Sequence, residues 1–144
     1  MDMKAVWHGL QAATAAFGGW LGWFVGGWDG FMYTLVAFTV IDYLTGIMCA
    51  IVERNLSSEI GARGIFKKVV VFALVGVGHT IDMHLIGDGG VIRSAVAFFF
   101  ISNEGLSLLE NASRLGLPIP EKMKDILAQL HHGGNKDKGN GGKK

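Results

Sequence analysis

The chain has 144 residues, half of them hydrophobic and only 17% charged, with a mean hydropathy of +0.37, a balance that points away from ordinary soluble domains and into a membrane. Twenty-two glycines with no Gly-X-Y period and only two prolines exclude collagen-like and proline-rich chains; the single cysteine, Cys49, excludes an internal disulfide, and no His/Cys/Asp grouping has the spacing of a structural metal site. The net charge of +1 conceals an asymmetry: six Lys/Arg face nine Asp/Glu up to Ser113, whereas seven face three from Arg114 onward.

Residues 5–28 open the chain with an Ala- and Gly-rich stretch carrying His8, Gln11 and Thr14 near its start. Its only early base is Lys4 and its apolar part outruns the core of a secretory signal, so it reads as a retained helix. Gly18, Gly22 and Gly26 recur every four residues, placing small groups on one face where another backbone can approach. Trp20, Trp23 and Trp28 suit a membrane interface, with the turn Gly26-Gly27-Trp28-Asp29-Gly30 closing a hairpin.

Residues 31–52 form the clearest membrane span, with one charge, Asp42, near its middle. Thr39, Gly46, Cys49 and Ala50 share a face with Asp42 and are expected to look at protein, while Val40, Leu44, Ile47 and Ile51 look at lipid. Residues 66–86 give a second span, polar at its far end through His79 and Asp82, which share a face with Phe72 and Gly76. Helix-rise arithmetic for antiparallel neighbours sets His79 near the depth of Asp42 and makes the two a predicted pair. Residues 91–109 supply a shorter span flanked by Arg93, Asn103 and Glu104; Asn103, Ser107, Glu110, Asn111 and Arg114 form a polar stripe expected where the helix leaves the membrane.

The sequence therefore predicts an all-α integral membrane protein of helical hairpins, with about four transmembrane helices or alternatively three without the first. Bases are present before the first stretch (Lys4), absent from the first turn, present between residues 53 and 68 (Arg54, Arg63, Lys67, Lys68), absent from residues 86–90, and abundant in the tail. Under the positive-inside rule four spans place both termini in the cytoplasm. After the Leu117-Pro118-Ile119-Pro120 break, residues 121–130 predict a short amphipathic helix with Met123, Ile126, Leu127 and Leu130 on its apolar face. Residues 133–144 read as a disordered basic tail. The expected units are thus a transmembrane part at 1–116, a cytoplasmic helix at 117–132 and the tail.

No nucleophile–base pair, phosphate-cradling loop or metalloprotease motif is present, so neither an enzyme nor a cofactor is expected. His131 and His132 are a histidine pair in a flexible context. The tail lacks the interleaved aromatics and the presenting fold of a nucleic-acid binder, and no such partner is expected. Asp42, His79 and Asp82 admit two readings, a hydrogen-bonded knot between helices or the lining of an aqueous path. A small ion or proton-coupled transporter using them as a relay is the alternative functional class, and a membrane module recruiting partners through its tail a third.

One resemblance goes further. The segments Gly26-Gly27-Trp28-Asp29-Gly30, Asp42-Tyr43-Leu44-Thr45-Gly46, GARGIFKK from Gly61 to Lys68, GHTID from Gly78 to Asp82 and ISNEGLSLLENASRLGLPIPEKM from Ile101 to Met123 together resemble the phage lysis and toxin-secretion holin family. The resemblance covers about residues 18–130. It implies a bacterial inner-membrane protein that forms homo-oligomers and permeabilises the bilayer at a set time. A peptidoglycan-degrading endolysin, or in some relatives a toxin, then leaves the cytoplasm without needing direct contact. Candidate pore or helix-contact residues are Gly18, Gly22, Gly26, Asp42, Gly46, His79, Asp82, Asn103 and Glu104.

Overall fold

The computed structural model describes residues 2–87, 89–123 and 125–126. It is all-helical among these residues: α1 Met3–Phe24, α2 Gly30–Val52, α3 Ser58–Ile81, a π-helical turn Asp82–Ile86 that prolongs α3, and α4 Val91–Arg114. Side chains placed just ahead of the first turns begin three of them. Asp2 accepts from Lys4 N at 3.3 Å, Asp29 from Met32 N at 3.0 Å and Ser57 from Ile60 N at 3.2 Å, each satisfying a backbone donor that the helix itself cannot. The fourth start is different. Gly90 offers no side chain, and the Asp82 carboxylate reaches across from the π turn to accept from Ile92 N at 3.0 Å and Arg93 N at 2.8 Å.

Three helices among the described residues are long and apolar enough to cross a membrane: Gly30–Val52, Ser58–Ile86 and Val91–Arg114. Helix α1 forms as the sequence predicts but is not among them. The starts of α2 and α4 meet through Asp29 and Arg93 and their ends through Glu53 and Arg114, so these two run parallel, with α3 antiparallel between them in sequence. α4 packs chiefly on α2 and then on α3, whereas α1 makes few contacts with the bundle, chiefly with α3.

The bundle is apolar outside and mixed inside. Val40, Leu44 and Ile51 are exposed while Thr39, Asp42, Cys49 and Ala50 are buried, as the face assignment for α2 predicts, whereas Ile47, expected to look at lipid, is half-buried and lines a cavity beside Asp42. Val69, Val70, Val77, Phe98 and Phe99 complete an outer surface suited to lipid. Inside, Val25, Met32, Leu35, Val71, Val75 and Ala97 form a small core, flanked by Phe24, Phe72, Val96, Phe100 and Ile101. α3 and α4 approach closely at Gly78, where an added Cβ would lie 3.1 Å from the Arg93 Cα. Residues 121–123 and 125–126 are helical, in keeping with the helix predicted there; its remaining apolar positions, the histidine pair and the 133–144 tail lie outside the described residues.

Candidate functional site

Two polar clusters sit at opposite ends of the core. The lower one is built where three helices meet at equal depth. Asp42 lies ten residues before the end of α2 and Lys68 ten residues after the start of α3, so the antiparallel pair brings them level. Lys68 Nζ donates to both Asp42 Oδ2 and Glu104 Oε2, the latter on α4. Asn111, two turns further along α4, donates from Nδ2 to Asp42 Oδ1 at 3.1 Å, to the Asp42 carbonyl at 3.3 Å and to Thr45 Oγ1 at 3.0 Å. The Cys49 thiol donates to the Asn111 carbonyl at 3.4 Å. A cavity of about 510 Å³ adjoins this cluster, its lining including Tyr43, Gly46, Asn55, Lys67, Ser107 and Arg114.

The physics of this arrangement is one of mutual obligation. A charge near the middle of a span is costly alone, and two carboxylates sharing one ammonium and a carboxamide neutralise most of that cost only while all four stay together. At the outer edge Arg114 forms a two-pronged pair with Glu53, at 2.9 and 2.7 Å. The guanidinium holds the Glu53 carboxyl below its ordinary value and fastens the α2–α3 loop to the end of α4.

The upper cluster is a clamp around Arg93, which is 5% exposed. Its Nε donates to the Val25 carbonyl, Nη2 to the Gly27 carbonyl at 3.0 Å, and Nη1 to Asp29 Oδ2 at 2.6 Å. Arg93 therefore caps the end of α1, fixes the turn and holds the N-cap of α2. The Asp29 carboxyl is lowered from its ordinary value, chiefly by its hydrogen bond from Arg93. Gly26 turns beneath this clamp with φ +84°, a region that disfavours side chains, and an added Cβ would lie 2.6 Å from His79 Nδ1 and 2.7 Å from Arg93 Nε.

The nine residues singled out from sequence are thereby distributed. Asp42 and Glu104 meet in the lower cluster, and Gly46 lines the adjoining cavity. Asp82 and His79 belong to the upper one, so Asp42 and His79 are not a pair. His79 lies eleven residues beyond Lys68 on one helix, about 16 Å away, because the rise must be counted from the loop at Val52 and Ser58. Gly26 is not on the face of α1 with Gly18 and Gly22, since α1 ends at Phe24. Gly22 is covered by the Trp28 indole, and nothing lies within 4 Å of a Cβ built on Gly18. Asn103 is exposed on α4, one residue from buried Glu104. The polar stripe of α4 is thus split: Asn111 points into the bundle, Asn103 and Glu110 away from it.

Lys68, Arg93 and Asn111 are the residues whose part in these clusters sequence reasoning missed. Lys68 was expected to be a loop base, but α3 begins ten residues earlier at Ser58. The Ser57-x-x-Ile60 capping position and the acidic Glu59 in the first turn were the available signals.

Comparison with known proteins agrees with this architecture. The model of the bacteriophage holin family matches residues 19–132. The chain belongs to that family. A multi-pass membrane protein with a holin-type membrane function follows from this match together with its apolar helices. An uncharacterized 14.9 kDa protein in the nagH 3' region of Clostridium perfringens is 37% identical over 130 residues, 90% of this chain and 98% of the relative. An uncharacterized protein of Listeria monocytogenes is 36% identical over 118 residues, 82% and 84% of the two chains. A probable holin of Bacillus phage phi105 is 33% identical over 93 residues, 65% of this chain and 68% of the phage protein. No solved structure matches this holin-family chain.

Proposed function

We propose that this protein is a holin that accumulates in the bacterial inner membrane, self-associates and opens holes at a set time, releasing an endolysin or a toxin from the cytoplasm. The observation that carries this reading is the inversion of the bundle: lipid-compatible outside, with Asp42, Lys68, Glu104 and Asn111 bonded to one another inside and Asn111 joined to Thr45 and Cys49 as well. Such a molecule can be stored in a bilayer as a closed unit. When many copies meet, the same polar groups can exchange partners between chains and turn towards water. In a single copy the core of Met32, Leu35, Val71, Val75 and Ala97 separates the two polar clusters, which favours a hole between copies over a conduit within one and disfavours the transporter reading.

The direct test is co-expression with a peptidoglycan-degrading enzyme lacking its own export signal. Lysis is expected only when both proteins are present, with the chain alone killing cells without immediate lysis. Enzyme that stays cytoplasmic after the membrane has depolarised would move the assignment to a small pore. Substrate-dependent proton flux in sealed vesicles would move it to a transporter.

Both termini are expected in the cytoplasm, since Arg54, Arg63 and Lys67 lie at the α2–α3 end and the tail is basic. Single cysteines at positions 2, 29, 58, 88 and 140 in a Cys49→Ser background can be probed with an impermeant thiol reagent. Only positions 29 and 88 should react from outside, and reaction at position 2 would establish three spans.

A further inference from the structure

The cavity of about 510 Å³ beside the lower cluster has a polar floor and a charged mouth. Its volume falls within the roughly 300–1,000 Å³ usual for small-ligand sites. Helices α2 and α3 form its sides and meet where the Tyr43 ring rests on Gly64 and its hydroxyl donates to the Gly61 carbonyl at 3.4 Å. Helix α4 supplies the floor, with Glu104 and Asn111 buried and Ser107 half-buried. Asn55, Ile60, Lys67 and Arg114 are exposed and ring the mouth.

The groups left without partners in this lining are donors. On the floor Asp42 and Glu104 already share Lys68, and Asn111 donates to Asp42 as well. Two of the three N–H donors of the Lys68 ammonium are thereby used. Ser107 Oγ has no hydrogen-bond partner among the described residues, although Ser102 on the same helix returns its hydroxyl to the Phe98 carbonyl at 2.9 Å. At the mouth Glu53 is committed to Arg114 and Glu59 to Arg63, while Lys67 has no acidic partner among the described residues. Arg114 spends Nε and Nη2 on Glu53 and keeps Nη1. Glu110, one turn before Arg114, is exposed and lies outside the lining.

Depth decides the class of ligand. Arg114 ends α4, Asn55 lies three residues past the end of α2, and Ile60 is in the first turn of α3. The mouth is therefore level with the ends of three spans of 23, 29 and 24 residues. Helices of that length cross a hydrocarbon core of about 30 Å and bring their ends to the headgroups. Lys67, nine residues after Ser58, is rooted about 14 Å further in, and its apolar stem lets the ammonium snorkel back to the same level. The anionic group that a bilayer presents at this depth is phosphate. Ile47 and Ile60 give the lining an apolar part suited to a lipid's glycerol and first methylenes.

We propose that this cavity binds a phosphate-bearing anion, presented at its mouth as the headgroup of an anionic phospholipid. Lys67 supplies the charge, and Ser107 Oγ and Arg114 Nη1 are the further donors. The proposal goes beyond the hole-forming reading and does not depend on it. An occupant fits between α2 and α3 of the closed bundle and stabilises that bundle by mass action.

The test is thermal unfolding of the full chain in an uncharged detergent with one of three probes at equal concentration: short-chain phosphatidylglycerol, phosphatidylcholine of the same chains, or inorganic phosphate. Phosphatidylglycerol should raise the unfolding temperature by several degrees, and phosphatidylcholine by less than half as much. Lys67→Gln and Ser107→Ala, each measured against its own baseline without probe, should lose most of that rise, and Lys67→Arg should keep it. Arg63→Gln removes a like charge from the same end but outside the lining, and should keep it too. A rise with phosphatidylglycerol alone assigns the site to the lipid, and an equal rise with inorganic phosphate assigns it to free phosphate. No rise with either probe, or an equal rise with phosphatidylcholine, would overturn the site. A rise diminished equally by Lys67→Gln and Arg63→Gln would overturn it as well, since surface charge alone would then explain the effect.

Discussion

Replacing Lys68 with methionine should cost the folded bundle about 3–5 kcal/mol, the usual penalty for removing one partner of a buried charge pair. Lys68 is the common donor to Asp42 and Glu104, and all three side chains are at least four-fifths buried. Without the ammonium two carboxylates face each other inside a membrane bundle, with the Asn111 carboxamide holding only one of them. The expected results are sharply reduced accumulation in the membrane and loss of resistance to heat or denaturant in detergent. Asp42→Asn, Lys68→Met and Glu104→Gln combined should recover most of the stability, because no charge then remains to be compensated. Wild-type stability for Lys68→Met alone would show that the cluster is not what holds these helices together.

The second large effect is expected at Arg93. Changing it to leucine leaves the Val25 and Gly27 carbonyls and the Asp29 carboxylate without their shared donor. Hydrogen bonds from a charged group are worth about 1.5–3 kcal/mol each and do not simply add, so a total loss of about 2–4 kcal/mol is reasonable. The damage should be local first. α1 is held to the bundle chiefly by α3, the Trp28 indole and this clamp, so limited proteolysis should cut the α1–α2 turn while α2 to α4 remain protected. Gly26→Ala should act in the same direction through its positive φ and the crowding by His79 and Arg93. An uncut turn in Arg93→Leu would remove the clamp from the account.

Much of the architecture was legible because lipid and protein demand opposite faces. The 22-residue run from Phe31 and the small, polar side of α2 follow from length and periodicity alone. The partners of Asp42 were harder to read. Pairing across helices depends on where α3 begins, and the stretch of residues 58–66 carries Glu59 and Arg63 and resembles a loop by hydropathy. Those two residues in fact bond each other one turn apart at the start of the helix, so a polar first turn concealed its length. That displaced Lys68 into an imagined loop and made His79 look level with Asp42. The Gly18/Gly22/Gly26 row misled for a related reason: the period of four continued past the point where the positive φ of Gly26 ends the helix. The role of Arg93 was not readable at all, since its acceptors are mainly backbone carbonyls of a distant turn.

The central claim is that a closed, storable bundle becomes a hole only when copies assemble. Single-cell recording of membrane potential against copy number, with the chain fused to a fluorescent reporter under graded induction, tests it most directly. The expected result is an unchanged potential as copies accumulate, followed by abrupt collapse at a threshold. Depolarisation that rises in proportion to copy number from the first molecules onward would contradict it.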